Sequence, residues 1–228
     1  EDADIERSLA LDLCQRQVGG LIVVPTADDH AYLAREVELG TPVVFLDRPG
    51  SGIPADAILL DNRGGARAAV AEMLAAGHRR IAVLLDRRSI FTMSQRWAGV
   101  EEAFVAAGRT PDPALVIDGL HTPAMARDAM QRLLDGDDAP TAVFCANNRV
   151  TIGALEAILP RGADVAVAGF DDFELSRLLP RRIRIVDYDV ADLGARAAET
   201  LLARAATPAT GSHTHLVPTR LVDRGGIR

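Results

Sequence analysis

Short apolar runs alternate with helical patterns along most of the chain. Eight runs rich in Val, Ile and Leu are continuous rather than alternating, which is typical of strands buried on both faces of a sheet. They lie at 20–25, 42–46, 57–60, 80–85, 114–117, 141–145, 164–169 and 183–186, and a further run at 216–222 predicts a last strand.

Amphipathic patterns between many of these runs predict helices. Residues 66–74 carry apolar side chains at the spacing of one helical face, and Gly77 is placed to end that helix. A second apolar stripe runs from Trp97 to Val105 and ends at Gly108. Strand–helix–strand repetition predicts parallel sheets with right-handed crossovers. Further helices are predicted at 3–17, 28–38, 124–135, 149–159 and 191–205.

The spacing of the elements favours two lobes over a single eight-stranded sheet. No linker rich in Gly, Ser or Pro separates them, so several short crossings must join the two. We predict a first lobe of residues 1–78 and 190–210 and a second lobe of residues 79–189 and 211–228. The chain opens with a helix, whereas a parallel strand needs a neighbour reached through a long crossover. We therefore expect the first lobe to be incomplete at its N-terminus, with a circularly permuted lobe as the alternative.

Composition excludes several kinds of chemistry. All 25 basic residues are arginine, so a P-loop lysine, a Schiff base and a kinase-type ion pair are impossible. The net charge of −7 argues against nucleic-acid backbone binding by this chain itself. Cys14 and Cys145 lie in apolar stretches and are predicted to be buried, reduced thiols of a cytoplasmic protein. No apolar run reaches the roughly 18 residues of a membrane span, and the N-terminus lacks the features of a signal peptide.

No catalytic, metal or cofactor set can be assembled from the sequence. Ser89, Ser94 and Ser176 lack an evident His–Asp partner. His213 and His215 supply only two ligands of one kind, too few for a metal site. We therefore expect neither enzymatic activity nor a bound cofactor or metal ion.

Short polar residues follow most of the apolar runs. In open parallel sheets, ligands bind beyond the carboxyl ends of the strands, and Asp and Asn suit a polyhydroxylated ligand. Asp and Asn are also the usual N-caps of a following helix, so each of these residues alone is more often a cap than a ligand contact, and it is the set that indicates a pocket. The set comprises Thr26, Asp47, Asp61, Asp86, Asp118, Asn147 and Asp171.

Several motifs, in the right order, resemble the lac-repressor (LacI/GalR) family of bacterial transcription regulators. They are Asp61-Asn-Arg-Gly-Gly, Gly77-His-Arg-Arg-Ile-Ala-Val, Arg96-Trp-Ala-Gly, Ala146-Asn-Asn, Val167-Ala-Gly-Phe-Asp-Asp and Pro218-Thr-Arg-Leu-Val-Asp-Arg. The part resembled is the effector-binding core, which is similar to periplasmic sugar-binding proteins. That core implies an α/β fold of two doubly wound parallel-sheet lobes, joined by three crossings, with a ligand in the cleft.

The resemblance also implies partners and a location. The implied effector is a sugar or related metabolite, and the implied assembly is a cytoplasmic homodimer. The family's helix-turn-helix and hinge helix are not in this sequence. Operator DNA would therefore be bound only by a helix-turn-helix segment that lies outside it.

The same resemblance implies a set of ligand contacts. Arg96 matches the cleft arginine, whose guanidinium can hold a hydroxyl pair or a carboxylate. Asn147 matches a strand-end amide that reaches the ligand, and Asp171 matches an acid that pairs with ligand hydroxyls or ring nitrogens. Thr92 and Tyr188 fall at positions that face the cleft in relatives, and Thr26 is a candidate from the first lobe.

Two positions depart from the family pattern. Leu120, followed by His121, stands where many relatives carry an aromatic residue that stacks on the ligand. Tyr188 replaces a frequent glutamine, and its ring would supply a stacking surface.

Three function classes are compatible with these observations. The first is a ligand-responsive transcription regulator. The alternative is a periplasmic solute-binding protein of a sugar uptake system, which would require an export signal. The third, an enzyme on a doubly wound sheet, is disfavoured because no catalytic set can be assembled.

Overall fold

The computed structural model describes residues 2–207 and 211–226, which form two α/β units. The chain passes between these units three times, as the resemblance implies. We call them the first lobe, with the described residues of Glu1–Asp61 and Asp189–Pro218, and the second lobe, with those of Asn62–Tyr188 and Thr219–Arg228.

The first lobe is built on a four-stranded, fully parallel sheet in the order β1-β2-β3-β9. Its elements are α1 (Ala3–Gln15), β1 (Leu21–Val23), α2 (Ala34–Glu38), β2 (Val43–Leu46), β3 (Asp56–Leu60), α7 (Val190–Ala206) and β9 (Thr214–Val217).

The predicted helix at 28–38 is wrong in its first part. A 3-10 turn over Ala31–Leu33 precedes the short α2. Residues before this turn are held in a loop by Ser51, whose carbonyl oxygen accepts from the backbone N–H of His30 at 3.0 Å. The Asp29 carboxylate accepts from the N–H of Ala31 at 3.0 Å, which starts the turn locally.

The second lobe is built on a six-stranded sheet in the order β10-β8-β7-β6-β4-β5, in which only the pairing of β10 with β8 is antiparallel. Together the two lobes confirm the predicted α/β class with parallel sheets. The elements of the second lobe are α3 (Asn62–Ala75), β4 (Ile81–Leu84), α4 (Phe91–Ala106), β5 (Val116–Ile117), α5 (Pro123–Asp135), β6 (Ala142–Cys145), α6 (Asn148–Arg161), β7 (Ala166–Phe170), β8 (Arg182–Asp187) and β10 (Arg220–Gly225).

The lobe boundaries differ from those predicted at 78/79 and 210/211. Helix α3 belongs to the second lobe, because it packs along α4 and against the β7–β8 side of that sheet. The single strand predicted at 216–222 is two strands, β9 and β10, separated at Pro218 and Thr219. Strand β9 pairs with β3 of the first lobe and β10 with β8 of the second, so the chain changes lobe between them.

Both faces of the second-lobe sheet are buried, as the continuous apolar runs predict. Along β6, Val143 and Cys145 pack on one side with Ile158 of α6. Phe144 points to the opposite side and packs with Phe104 of α4. The sheet is thus a rigid support for the loops that follow its strands.

Two glycines allow the helices on these faces to approach closely. A Cβ atom at Gly99 of α4 would lie 2.2 Å from the carbonyl oxygen of Arg63 in α3. A Cβ atom at Gly153 of α6 would lie 2.1 Å from the carbonyl oxygen of Pro123 in α5. Each helix pair therefore depends on a residue without a side chain.

Both cysteines are buried and unbonded, which confirms the prediction of separate thiols. They lie in different lobes, Cys14 on α1 and Cys145 on β6. Burial raises the pKa of the Cys145 thiol to about 12, so it stays protonated and packs as a small apolar residue. None of the helices in residues 2–207 and 211–226 is both long and apolar enough to cross a membrane.

Candidate functional site

The polar residues after the strands of the second lobe share one edge of its sheet, which we call the carboxyl edge. In spatial order they are Tyr188 after β8, Asp171 after β7, Asn147 after β6, Asp86 after β4 and His121 after β5. Neighbouring strands are about 4.8 Å apart, so this row extends over roughly 20 Å. A small polar ligand bound at this edge would therefore lie close to several of these hydrogen-bonding groups at once.

Arg96 of α4 is the central residue of this edge. Its side chain is only 4% exposed, and its guanidinium lies 3.6 Å from the ring centroid of Phe170. Nε donates to Oδ1 of Asn62 at 2.8 Å, and Nη1 donates to the carbonyl oxygen of Ala146 at 2.5 Å. The buried charge is therefore placed by both α3 and the end of β6.

Asp171 supplies the bidentate partner of Arg96. Its Oδ2 accepts from Nη1 at 2.9 Å and its Oδ1 from Nη2 at 3.3 Å. Four of the five N–H groups of Arg96 are thus used inside the lobe. From the sequence we expected the Arg96 guanidinium to hold a ligand through two hydrogen bonds. In the structure it makes those two hydrogen bonds with Asp171 of the same chain.

Asp171 is held in an uncommon backbone conformation. Its φ is +66°, in the left-handed region that non-glycine residues rarely occupy, and its N–H donates to the carbonyl oxygen of Val186 at 3.1 Å. Its side chain remains 21% exposed, so its carboxylate oxygens can accept further hydrogen bonds from outside the lobe. Strain of this kind is concentrated at functional sites.

The neighbouring Asp172 has a structural role instead. Its Oδ1 accepts from the Ser176 hydroxyl at 2.5 Å, and its Oδ2 accepts from Nε of Arg224 at 2.7 Å. Burial would raise the pKa of Asp172, but these hydrogen bonds and that from the N–H of Phe173 lower it below its usual value. Of the two adjacent acids, only Asp171 is directed to the carboxyl edge.

Asn147 combines the two roles that the sequence left open. Its Oδ1 accepts from the N–H of Val150 at 2.8 Å and caps α6. Within the described residues its Nδ2 group makes no hydrogen bond, which leaves two donors at the edge. Thr92 is buried in the first turn of α4, and Tyr188 is half-buried at the end of β8.

Leu120 is placed differently from the expectation. It is 5% exposed and packs in the core of the second lobe with residues such as Leu115 and Ala126. The chain turns at Gly119, which has φ of +75°, and the N–H of Leu120 then donates to the carbonyl oxygen of Leu85. That pairing directs Leu120 inward, and the side chain at the edge is that of His121.

In the first lobe, Thr26 belongs to a network centred on Glu6 of α1. One carboxylate oxygen of Glu6 accepts from the Thr26 hydroxyl at 2.8 Å and also from the Thr26 backbone N–H. The other accepts from the Tyr32 hydroxyl at 2.8 Å. Nε2 of the buried His30 lies 3.1 Å from the same oxygen but makes no hydrogen bond in the part of the chain that the structure describes. While the Thr26 hydroxyl donates its proton to Glu6, it can act toward a ligand only as a hydrogen-bond acceptor.

Sequence reasoning missed Glu6 because a charged residue in the first turn of a helix is ordinary. Burial would raise the pKa of Glu6, but the hydrogen bonds from Thr26, Tyr32 and Ala27 lower it below its usual 4.5. Burial, together with the hydrogen bond to Glu6, raises the pKa of the Tyr32 hydroxyl. Glu6 thus ties α1 to the loop that follows β1.

We expect Glu6→Gln to lower the free energy of unfolding by about 1–3 kcal/mol, because the new amide group places a donor against other donors. The ionised carboxylate stabilises the fold fully above the unfolded pKa, and this contribution is lost as pH falls through the lowered folded pKa. The difference between wild type and variant should therefore shrink between about pH 5 and pH 3 in urea titrations. Glu38→Gln, at an exposed position, is the control. A difference that is constant over this pH range would contradict the role of Glu6.

Comparison with known proteins matches the chain to one family. A family model for the periplasmic binding protein-like domain matches residues 70–227. The chain is 28% identical to the ribose operon repressor of Haemophilus influenzae, over 94% of this chain and 66% of that protein. It is similar to a solved CelR–cellobiose complex at 27% identity and a TM-score of 0.84, covering 97% of this chain and 69% of that one.

A second solved structure supports the fold. The regulatory protein of the LacI family from Chloroflexus aggregans superimposes with a TM-score of 0.85 at 24% identity, covering all of this chain and 84% of that one. The chain spans between 58% and 66% of the length of the curated relatives it matches. The chain belongs to the periplasmic binding protein-like domain family.

Proposed function

We propose that this chain is the sensing part of a bacterial transcription regulator and that it binds a small polar molecule, a sugar or related metabolite. The observation that carries this proposal is the Arg96–Asp171 pair at the carboxyl edge, flanked by the Asn147 amide. The ribose operon repressor and the CelR–cellobiose complex among its relatives support the sugar class.

In this proposal each residue has a distinct chemical role. Asp171 accepts hydrogen bonds from two ligand hydroxyls, while Arg96 neutralises its charge and fixes its orientation. Asn147 donates through Nδ2, because its Oδ1 is already used by the cap of α6. A paired carboxylate and guanidinium have no net charge, so the site favours a neutral polyol over an anion. Thr92 and Tyr188 at this edge, and Thr26 in the first lobe, stay predicted contacts.

The experiment is isothermal titration calorimetry with D-ribose, cellobiose and D-glucose. Asn147→Asp keeps the capping oxygen and removes both side-chain donors, so it should weaken the bound sugar about three- to tenfold or more. Asn148→Asp makes the same change one residue later, at a position that faces a different groove, and should bind normally. Binding of none of the three sugars, or equal losses in both variants, would contradict the proposed site.

Regulation would follow from a difference in ligand affinity between two states of the protein. A ligand shifts a conformational equilibrium only as far as it binds one state better, and the coupling to DNA is reciprocal. We propose that operator DNA is bound by a segment outside this sequence, that the protein is cytoplasmic and that it performs no catalysis. The periplasmic solute-binding alternative is not favoured, because the curated relatives are repressors.

We also propose that the chain forms a homodimer through an apolar groove on the second lobe. This groove, of about 770 Å³, lies between α6 and the segment after β7. Leu175 at its rim is 64% exposed, an unusual position for a large apolar side chain beside other apolar surface. The apolar side chains that line it are those of Ile152, Leu155, Leu159, Pro160, Phe173, Leu175 and Leu179.

Leu175→Glu should convert the dimer to a monomer in light-scattering measurements, because a carboxylate would be buried without a partner at the interface. Val105→Glu introduces the same charge at an equally exposed apolar residue of α4 and should leave the mass unchanged. A wild-type protein that is monomeric at high micromolar concentration would contradict the homodimer.

A further inference from the structure

A histidine and an aspartate are paired at the far end of the carboxyl edge. Nδ1 of His121, after β5, lies 3.0 Å from Oδ2 of Asp86, after the neighbouring β4. Asp86 is buried, and its Oδ1 accepts from the N–H of Arg87 at 2.7 Å. The His121 side chain is 50% exposed. The aspartate is therefore fixed within the lobe, while the imidazole faces outward.

This contact determines which ring nitrogen carries the proton. A carboxylate only accepts, so Nδ1 of His121 must be the donor toward Asp86. In a neutral imidazole the other nitrogen is then an acceptor. Within the described residues no hydrogen bond reaches Nε2, which leaves one oriented acceptor on the exposed side of the ring.

The location of the pair connects it to the proposed ligand site. Strand β4 lies between β5 and β6, so the pair is next to the end of β6 that carries Asn147. The backbone N–H of Leu120 donates to the carbonyl oxygen of Leu85. His121 and Asp86 directly follow these two residues, so this hydrogen bond fixes the backbone positions of both. His121 is accordingly the outward side chain at the end of the row.

We propose that His121 is a ligand-binding residue whose Nε2 accepts a hydrogen bond from a sugar hydroxyl, and that Asp86 is its positioning residue. This inference rests on the proposed function, because it assigns a further contact at the same edge. Its chemical consequence is selectivity. A ligand hydroxyl can donate a hydrogen bond to Nε2 of His121. A ligand carboxylate at the same place cannot, because both it and Nε2 are acceptors, so we expect a neutral sugar to bind more tightly than the corresponding sugar acid.

The proton position can be measured without any ligand. Long-range ¹H–¹⁵N correlation spectra should show His121 with its proton on Nδ1 in the wild-type protein. In Asp86→Asn the side-chain oxygen is still required by the N–H of Arg87, so the new amide group donates to Nδ1 and moves the proton to Nε2. A wild-type protein protonated on Nε2 would overturn the positioning role of Asp86.

The ligand contact is tested by calorimetry with D-ribose, cellobiose and D-glucose. His121→Ala should weaken the bound sugar about three- to tenfold, as for loss of one hydrogen bond. His121→Gln should recover part of that loss, since its amide oxygen provides an acceptor on a longer side chain. Adding Asp86→Asn to His121→Ala should cause no further loss, because Asp86 acts through His121.

The outcomes separate this inference from the proposed function. His78→Ala, whose histidine pairs with Thr141 at the start of β6 rather than its end, should bind as wild type does. If a sugar binds and His121→Ala leaves its affinity unchanged, this inference is wrong while the proposed function stands. If none of the three sugars binds the wild-type protein, the proposed sugar class fails and the role of His121 fails with it.

Discussion

Asp171→Ala is expected to lower the free energy of unfolding by about 2–4 kcal/mol, the largest effect of any single substitution at the carboxyl edge. The substitution removes both hydrogen bonds to Nη1 and Nη2 of Arg96 and leaves a guanidinium that is almost wholly buried without its counter-charge. Because Asp171 itself is partly exposed, water can replace some of the lost contact, and the expected value lies below that of a fully buried pair.

A double-mutant cycle separates the ion pair from general disruption. Arg96→Met should also destabilise, but the double variant should lose less than the two single losses combined, since no unpaired charge remains. Asp137→Ala, at an exposed position, should change stability by less than about 0.5 kcal/mol. Urea unfolding followed by circular dichroism measures all four variants. Strict additivity would contradict the pairing of Arg96 with Asp171.

Gly153→Ala is expected to destabilise the second lobe by at least ~2 kcal/mol, although alanine is the better helix former. The added Cβ atom would lie 2.1 Å from the carbonyl oxygen of Pro123 and 2.8 Å from the Cβ of Ala126. A flexible side chain could change rotamer to avoid this contact, but a backbone carbonyl group cannot. Helices α5 and α6 must therefore move apart to make room for the added atom.

The matched control for this substitution is Gly194→Ala. Gly194 lies in α7, and a Cβ atom there would have no neighbour within 4 Å. Its replacement should stabilise the protein by about 0.5–1 kcal/mol through helix propensity alone. The measurement is the melting temperature of each variant in thermal unfolding. If both substitutions changed the melting temperature in the same direction, the close packing at Gly153 would not determine stability.

Most of the fold follows from local sequence patterns. Most of the continuous apolar runs correspond to strands, and those that form β4, β6 and β7 are buried on both faces. The prediction is wrong for the run at 20–25, where Ile22 of β1 is 43% exposed, and for the run at 114–117, which is in part a 3-10 turn. Gly77 and Gly108 lie just beyond the ends of α3 and α4. The lobe boundary at 61/62 could not be predicted in the same way. An amphipathic stripe shows that α3 has a buried face but not which sheet that face covers.

The candidate site was only partly predictable for a similar reason. The polar residues after the strands mark the carboxyl edge because strand direction alone brings them together. The partners of Arg96 are separated from it by 34, 50 and 75 residues, a distance over which no local pattern operates. Leu120 was misplaced because the turn at Gly119, not the residue type, decides which of two neighbouring side chains faces outward.

We propose that a small sugar binds at the carboxyl edge of the second lobe. The most direct test is a titration of ¹⁵N-labelled protein with D-ribose or cellobiose, in which the Nδ2 signals of Asn147 and the Nε signal of Arg96 are followed. We expect both to shift with a single binding curve, while the Nδ2 signals of Asn148 stay in place. Saturable shifts confined to the apolar groove, or no shift with either sugar, would show that sugar does not bind at the carboxyl edge.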